Sequence, residues 1–300
     1  MTGSRQQRRE TLVAAAATGE RLDIYLARVL GVSRRAVKQA LDGGRIFIDG
    51  RAVRRAGHLL QGGETLAVTL DRPPPPPRPA EPSIIYRDAH LLALNKPPGL
   101  PAHPTGAGRP DALTWATEFL RRSGNGIVPI LLHRLDADTS GLLLFALSGE
   151  ANCALAADFA ARRIEKTYRA LVAGDPPEFF TVENFLRPGR RGRTAAASAG
   201  GQRAETDFRV MARHPGCALI EARPKTGRTH QIRVHLAGQG FPLLGDSLYG
   251  GPTAITLGGR ALPLSRHLLH AFRLTFAHPA SGETITLEAP LPDDFTIFTV

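Results

Sequence analysis

Five consecutive prolines, Pro73–Pro77, stand between Arg72 and Arg78 and are followed by Pro79. Proline lacks a backbone N–H and fixes φ, so such a run can join neither a helix nor a sheet interior and favours a stiff polyproline II spacer. The chain therefore has to fold separately on either side. A ligand for a proline-reading domain is the other use of such a run, but its place between two folded patterns favours the spacer. The expected organisation is a disordered tail at 1–18, a first domain at 19–71, a linker at 72–82 and a second domain at 83–300. The length of 300 residues suits two domains, and a hydrophobic fraction of 42% is enough for a sizeable core.

Ahead of the linker, Leu22, Tyr25, Leu26, Val29 and Leu30 recur at helical spacing, and Gly31 ends the run. Ser33 can cap a second helix, Arg34 to Leu41, that stops at Gly43-Gly44. Arg45 to Ile48 reads as a strand, Asp49-Gly50 as a hairpin turn, and Glu64 to Leu70 as a further strand. Arg34, Arg35 and Lys38 crowd the first turns of the second helix, where the macrodipole disfavours positive charge. A helix start with extra cations suits a phosphate, and Arg51, Arg54 and Arg55 could line the same surface. A solvated charged face is the plainer alternative, but two basic clusters in so short a stretch favour phosphate. The order helix, basic helix, hairpin and Gly-Gly-Glu strand resembles the ribosomal-protein-S4-type RNA-binding domain over residues 19–71.

Charge points the same way. Lys and Arg outnumber Asp and Glu by 38 to 27, a net charge of +11, which implies an anionic partner, nucleic acid ahead of an acidic membrane surface. Nothing approaches the ~20 apolar residues of a membrane span, and Leu12 to Ala17 is too short an apolar run for a signal peptide. Cys153 and Cys217 show neither metal nor disulfide spacing, which fits a reducing compartment. A cytoplasmic location without membrane association is expected.

After the linker, Ser83 to Tyr86 and Leu91 to Leu94 read as a hairpin, Asp111 to Arg122 as a helix, and Gly141 to Leu147 as a buried strand. Ser148 caps a helix to about Arg162, and Thr167 to Val172 is another strand, followed by several more. Helices and strands mix without regular alternation, which makes the fold class α+β rather than a doubly wound sheet.

The most informative stretch, His133-Arg134-Leu135-Asp136-Ala137-Asp138-Thr139-Ser140-Gly141, stands just before the buried strand. If it is extended, Arg134 and Asp136 project to one side. A carboxylate beside a guanidinium stays ionised when partly desolvated and can serve as nucleophile or general base. A loop ion pair among turn-forming residues is the bland alternative. Arg233 falls in an expected helix from near Thr229 to Gly238, facing the core edge. A buried arginine needs an acid, which could be Asp136 or Glu221, or else it contacts phosphate.

The whole string is similar to the signature His-Arg-Leu-Asp-x-x-Thr-Ser-Gly of the RluA family of pseudouridine synthases. Further similar segments follow that family's order: Asn95 to Leu100, Glu165 to Val172, Thr226 to His235, and Pro242 to Gly250, within a resemblance over about residues 83–290. The resemblance implies a catalytic domain built on a mixed, mainly antiparallel sheet and an isomerase of uridine in structured RNA, with no cofactor and no metal. Asp136 is then the catalytic aspartate, attacking C1′ of the ribose or C6 of the base. Tyr168 stacks on the base and takes part in proton removal, and Arg233 pairs with Asp136. Arg134 enters the RNA stack beside the flipped uridine, and Leu244 lies under the base. His133 and Arg228, in the same motifs, join the substrate-binding set, as do Arg34, Arg35 and Lys38 through phosphates. Val182 to Gly201, with Arg187 to Arg193, departs from the family pattern and reads as a mobile basic loop near the RNA.

Other signals are weaker. Asp136-Ala137-Asp138-Thr139 lacks the spacing of a magnesium-dependent phosphatase, and Gly106-Ala107-Gly108 lacks the rest of a nucleotide fingerprint. The pairs His230/His235 and His267/His270 have no third ligand close by in sequence to complete a zinc site. Large-subunit ribosomal RNA is the expected substrate, with tRNA as the other possibility and a monomer without protein partners as the expected state. The alternative from another class is a non-catalytic RNA-binding or RNA-chaperone protein.

Overall fold

The computed structural model describes residues 6–12, 17–71, 79–105, 109–124, 126–189, 192–257, 260–296 and 298. The chain divides into two compact units, Met1–Arg78 and Pro79–Val300. Their boundary falls at the proline run, of which residues 72–78 lie outside the described residues.

In the first unit, helices Leu22–Leu30 and Arg34–Asp42 accompany a four-stranded antiparallel sheet in the order Gln6–Leu12, Thr65–Asp71, Ile46–Ile48, Arg51–Ala52. Of the apolar run in the first helix, Leu22, Tyr25 and Leu26 are buried with Val37, Leu41, Ile46, Leu60 and Leu66, while Val29 is exposed. Gly31 ends the first helix in the left-handed region, at φ 64°. The Ser33 hydroxyl accepts the Ala36 N–H at 3.2 Å to cap the second. One expectation is overturned. Gln6–Leu12, placed in a disordered tail, is a strand paired from Gln6↔Asp71 to Leu12↔Thr65. Its sequence is too polar to announce a strand; backbone pairing along an otherwise open sheet edge makes it. Residues 1–5 and 13–16 of that tail lie outside the described residues.

The second unit is built on one eleven-stranded sheet. Its path runs Thr194–Ala197, Phe179–Pro188, Gln202–His214, Cys217–Pro224, Glu165–Ala173, Leu269–Ala277, Ser140–Ala146, Leu91–Lys96, Ser83–Arg87. Thr284–Glu288 pairs beside Leu269–Ala277, and Ile130–Leu131 beside Ser140–Ala146. Among the described residues the parallel pairing is Leu269–Ala277 with Ser140–Ala146, and the others are antiparallel. The fold is α+β with a mixed, mainly antiparallel sheet. Ser140–Ala146 is buried at every position, as its continuous apolar run requires. Asp111 caps helix Ala112–Arg122 through the Thr114 N–H at 2.9 Å, and Ser148 caps Gly149–Ala160 through the Ala151 N–H at 3.1 Å.

Gly141 sits where the central strands meet. Its φ is 108°, and a Cβ there would lie 2.2 Å from the Ala271 carbonyl oxygen, so only glycine lets the two backbones approach. The segment His133–Ser140 thus enters the middle of the sheet. Val182–Gly201, expected to be a mobile loop, instead forms strands: Phe179–Pro188 pairs with Gln202–His214, and Thr194–Ala197 folds back from Phe185↔Ala197 to Pro188↔Thr194. Val182 and Leu186 alternate inward among polar residues, a period-two pattern masked by the arginines that follow. Arg190 and Arg191 lie outside the described residues.

Candidate active site

A cleft of about 730 Å³ opens over this junction, and Arg134, Asp136, Tyr168, Arg228, His230 and Arg233 are among the residues lining it. The segment Asp136–Thr139 is fixed from three directions. The Thr139 N–H donates to the Asp136 carbonyl at 3.1 Å while the Thr139 hydroxyl bonds His267 Nε2 at 2.8 Å. Arg266 donates to the Asp138 carbonyl at 3.0 Å, and Lys96 Nζ donates to the Ala137 carbonyl at 2.8 Å.

Arg233, on helix Gln231–Gly238, donates Nη1 to Asp136 Oδ2 at 2.8 Å and Nε and Nη2 to the Asp246 carboxylate at 2.7 and 2.9 Å. The Asp246 side chain is 1% exposed and that of Arg233 7%, whereas Asp136 keeps 27% and faces the cleft. Burial opposes the guanidinium charge, but the hydrogen bonds and fields of Asp246 and Asp136 outweigh it and raise the Arg233 pKa. The Tyr249 ring lies 5.0 Å from the guanidinium carbon.

His230 bonds the Tyr249 hydroxyl through Nδ1 at 2.8 Å and holds Nε2 3.7 Å from Asp136 Oδ2. The Thr194 N–H donates to the same hydroxyl at 2.7 Å. Burial lowers the His230 pKa against the opposing field of Asp136.

Tyr168 lies on strand Glu165–Ala173, whose alternation sends Tyr168, Ala170 and Val172 to one face. Burial, then the charge of Asp136, raises its hydroxyl above the usual range. Leu244 is not brought to this place. It packs with Leu171, Leu219 and Leu268, and its N–H donates to the Leu171 carbonyl at 2.9 Å. Leu171 points to the opposite sheet face from Tyr168, so Leu244 belongs there too; Leu269 and Ile232 supply aliphatic lining of the cleft.

His133 is turned inward. Its Nε2 accepts the Leu144 N–H at 3.1 Å, and burial, with Lys166 adding, lowers its pKa to about 4. It positions the segment that carries Arg134 and Asp136. Arg134 is exposed and has no hydrogen bond or ion pair among the described residues. Arg228 is half-buried, with Nε donating to the Arg203 carbonyl at 3.2 Å. In the first unit Arg35 and Lys38 are exposed, but Arg34 donates Nη2 and Nε to Asp23 at 2.5 and 3.1 Å.

Sequence reasoning misses two partners. Asp246 stands in the segment Pro242 to Gly250, but nothing local ties it to Arg233. Lys96 is 0% exposed and donates to the carbonyls of Pro97, Leu100 and Ala137 at 2.9, 2.8 and 2.8 Å. Burial brings its pKa down to about 7 against the fields of Asp138 and Asp136, yet three acceptors use all three ammonium protons. The available signal was a lysine closing the apolar strand Leu91–Lys96. Glu221, the other acid considered for Arg233, pairs instead with Arg169 at 2.6 Å and Arg223 at 2.7 Å. Among the described residues no group of three or more His, Cys, Asp or Glu could hold a metal ion, and no helix is long and apolar enough to cross a membrane.

A family model described as RNA pseudouridylate synthase matches residues 90–238, and an S4 domain model matches residues 20–66. The chain is 35% identical over 299 residues to ribosomal large subunit pseudouridine synthase D of Xanthomonas campestris pv. campestris, covering 95% of this chain and 90% of the relative. It is 36% identical over 295 residues to the protein of the same name from Zymomonas mobilis, covering 93% and 92%. Human RNA pseudouridylate synthase domain containing 4 superposes with a TM-score of 0.58 at 27% identity, over 71% of this chain and 90% of that one. The chain belongs to the RluA family of RNA pseudouridine synthases, which are isomerases, and carries an S4 domain ahead of the catalytic domain.

Proposed function

We propose that this synthase isomerises uridine in large-subunit ribosomal RNA, with Asp136 as the nucleophile. The observation that carries the assignment is the Asp136 carboxylate, ion-paired to Arg233 at 2.8 Å and open to a cleft that Tyr168 walls. The names of the two bacterial relatives support the choice of RNA.

Pseudouridine formation breaks the bond between ribose C1′ and uracil N1, rotates the base, joins C5 to C1′ and moves the C5 proton away; nothing is oxidised or reduced. A duplex uridine must first leave the stack, which costs a few kcal/mol and is offset by contacts in the pocket. Arg134, exposed and unpaired among the described residues, is suited to fill the vacated space. Asp136 attacks C1′ or C6, while Arg233 orients it through the Nη1 hydrogen bond at 2.8 Å. Tyr168 offers a flat face to the detached base. Its raised pKa means the hydroxyl works as a neutral phenol, so it passes the C5 proton on only if its own proton leaves toward Asp136.

Tritium release from a large-subunit rRNA transcript labelled at uridine C5 tests this. Wild type is expected to release tritium, and Asp136→Asn to bind the transcript with similar affinity but release none. Release by both proteins would remove Asp136 as nucleophile; release from labelled tRNA alone would move the target.

A further inference from the structure

We propose that Lys166, Arg162 and Arg228 form a phosphate subsite beside Tyr168, one that grips a backbone phosphodiester flanking the target uridine. The inference rests on the uridine chemistry proposed above and adds an interaction that places the nucleotide.

Lys166 is two residues before Tyr168 on strand Glu165–Ala173, so both side chains leave the same sheet face. Both line the cleft, together with Arg162 and Arg228. Among the described residues the side chains of Lys166 and Arg162 make no hydrogen bond or ion pair, and the Arg228 side chain spends only Nε, on the Arg203 carbonyl at 3.2 Å. Cations nearby behave differently. Arg163, the next residue along, holds Asp158 at 2.5 Å, and Lys225 holds Asp207 at 3.0 Å.

Lys166 is half-buried, and that is the telling point. An ammonium taken partly out of water needs an anion, and this one has two more cations near it instead. Burial, then the fields of Arg162 and Arg228, lowers its pKa, a cost that an incoming anion would cancel. Arg162 adds a backbone observation. It follows helix Gly149–Ala160 at φ 59°, a left-handed position that glycine usually fills after a helix. An arginine there accepts conformational strain and places its charge at the cleft.

A phosphodiester fits the charge and the geometry of the substrate. Every internal nucleotide has one phosphate on its 5′ side and one on its 3′ side, a fixed reach from the sugar whose C1′ faces Asp136. The cations line the same cleft as Tyr168, and Lys166 shares its strand face, so they can hold one of these phosphates while the base turns.

The test measures binding of the full chain to the rRNA transcript across a salt series, with Lys166→Met, Lys166→Arg and Arg162→Gln. Lys166→Met and Arg162→Gln should each flatten the slope of log affinity against log salt by ~0.7–0.9, and Lys166→Arg should restore it. Lys166→Met should melt no lower than wild type, because no protein group pairs with it. An oligonucleotide bearing the mapped uridine, with a neutral methylphosphonate at the 5′ or the 3′ phosphate, then identifies which phosphate is gripped. At one position it should weaken wild type roughly tenfold, about the value of one charged hydrogen bond, and leave Lys166→Met unaffected. Unchanged slopes, or equal weakening of wild type and variant at both positions, would overturn the subsite. If the slopes change but wild type releases no tritium, the subsite stands and the proposed reaction fails.

Discussion

Arg233 divides one guanidinium between two carboxylates, giving Nη1 to Asp136 at 2.8 Å and Nε with Nη2 to Asp246 at 2.7 and 2.9 Å. The two-point grip of Asp246 fixes the plane of the fork, and the fixed fork aims the remaining N–H at the carboxylate that faces the cleft. Asp246 therefore acts on Asp136 through Arg233, as a positioning residue.

Asp246→Asn should destabilise the protein by roughly 3–5 kcal/mol, because it removes one partner from a buried ion pair. It should also lower kcat while leaving RNA affinity nearly unchanged. Arg233→Lys keeps the charge but cannot make the fork, so it should lose kcat as well. Denaturant melts and tritium-release kinetics on the same preparations check both. A stable Asp246→Asn protein with normal kcat would show that Asp136 needs no such bracing.

Gly141→Ala should leave little folded protein. The new Cβ would meet backbone, the Ala271 carbonyl oxygen at 2.2 Å, at a φ of 108° that alanine avoids. Neither strand can move without opening the parallel junction on which the Asp136 segment rests, so the cost should exceed ~4 kcal/mol. Soluble yield and the melting temperature report the outcome, and a well-folded Gly141→Ala variant would contradict the tight junction.

Much of this site is legible because its chemistry sits in short strings. Asp136, Tyr168 and Arg233 each stand in a segment that resembles a motif of the family, and periodicity puts Tyr168 on one strand face with Ala170 and Val172. Leu243 and Leu244 show where that stops. They lie in an irregular stretch, so no period says which leucine packs on the sheet face of Tyr168 and which on the other. The bond from Leu244 N–H to the Leu171 carbonyl decides it, and no pattern within the segment records an interaction with a residue so far back in the chain. The strand Gln6–Leu12 escapes for a related reason: its ladder partner, not its own polar sequence, makes it a strand. Asp294, on the short helix Asp293–Thr296, holds Arg266 at 2.7 Å, and Arg266 in turn holds the Asp138 carbonyl, a link that no local pattern records.

In the S4 unit the three cations of the second helix should separate. Arg35→Glu and Lys38→Glu should each flatten the salt dependence of RNA binding, by ~0.7–0.9 for each phosphate that is no longer neutralised. Arg34→Glu should do this less cleanly, because Arg34 already holds Asp23 at 2.5 Å and the change sets two carboxylates against each other. It should lower the melting temperature where the other two do not. Equal melting temperatures for all three variants would mean that the Asp23 pair contributes nothing to the fold.

Acid should weaken the catalytic unit well before its carboxylates titrate. His235, His267 and His270 are buried, and burial lowers each pKa from the ordinary 6.5 to about 4. Each ring is used in the neutral form, on Thr206 and Asn184, on Thr139, and on Ser140 and the Ala289 carbonyl. Between pH 6.5 and 4 the unfolded chain binds protons that the folded one refuses, so ∂ΔG/∂pH is positive. The stabilisation is complete above about pH 6.5, falls as pH drops through that window, and levels off near the folded value of about 4. The slope approaches ~1.4 kcal/mol per pH unit for each histidine. Melting temperatures from about pH 7.5 to about 4.5 should therefore fall steadily, and His235→Gln, which keeps an amide for Thr206 and Asn184, should flatten the fall by roughly a quarter, because His133, also lowered to about 4, titrates with the three. His267 carries a functional consequence: a charge on its ring disturbs the buried contact with the Thr139 hydroxyl that braces the Asp136 segment. The folded ring takes on that charge only near its pKa of about 4, so activity should follow the fraction folded down the acid side, and a melting temperature constant from about pH 7.5 to about 5 would refute the neutral-histidine account.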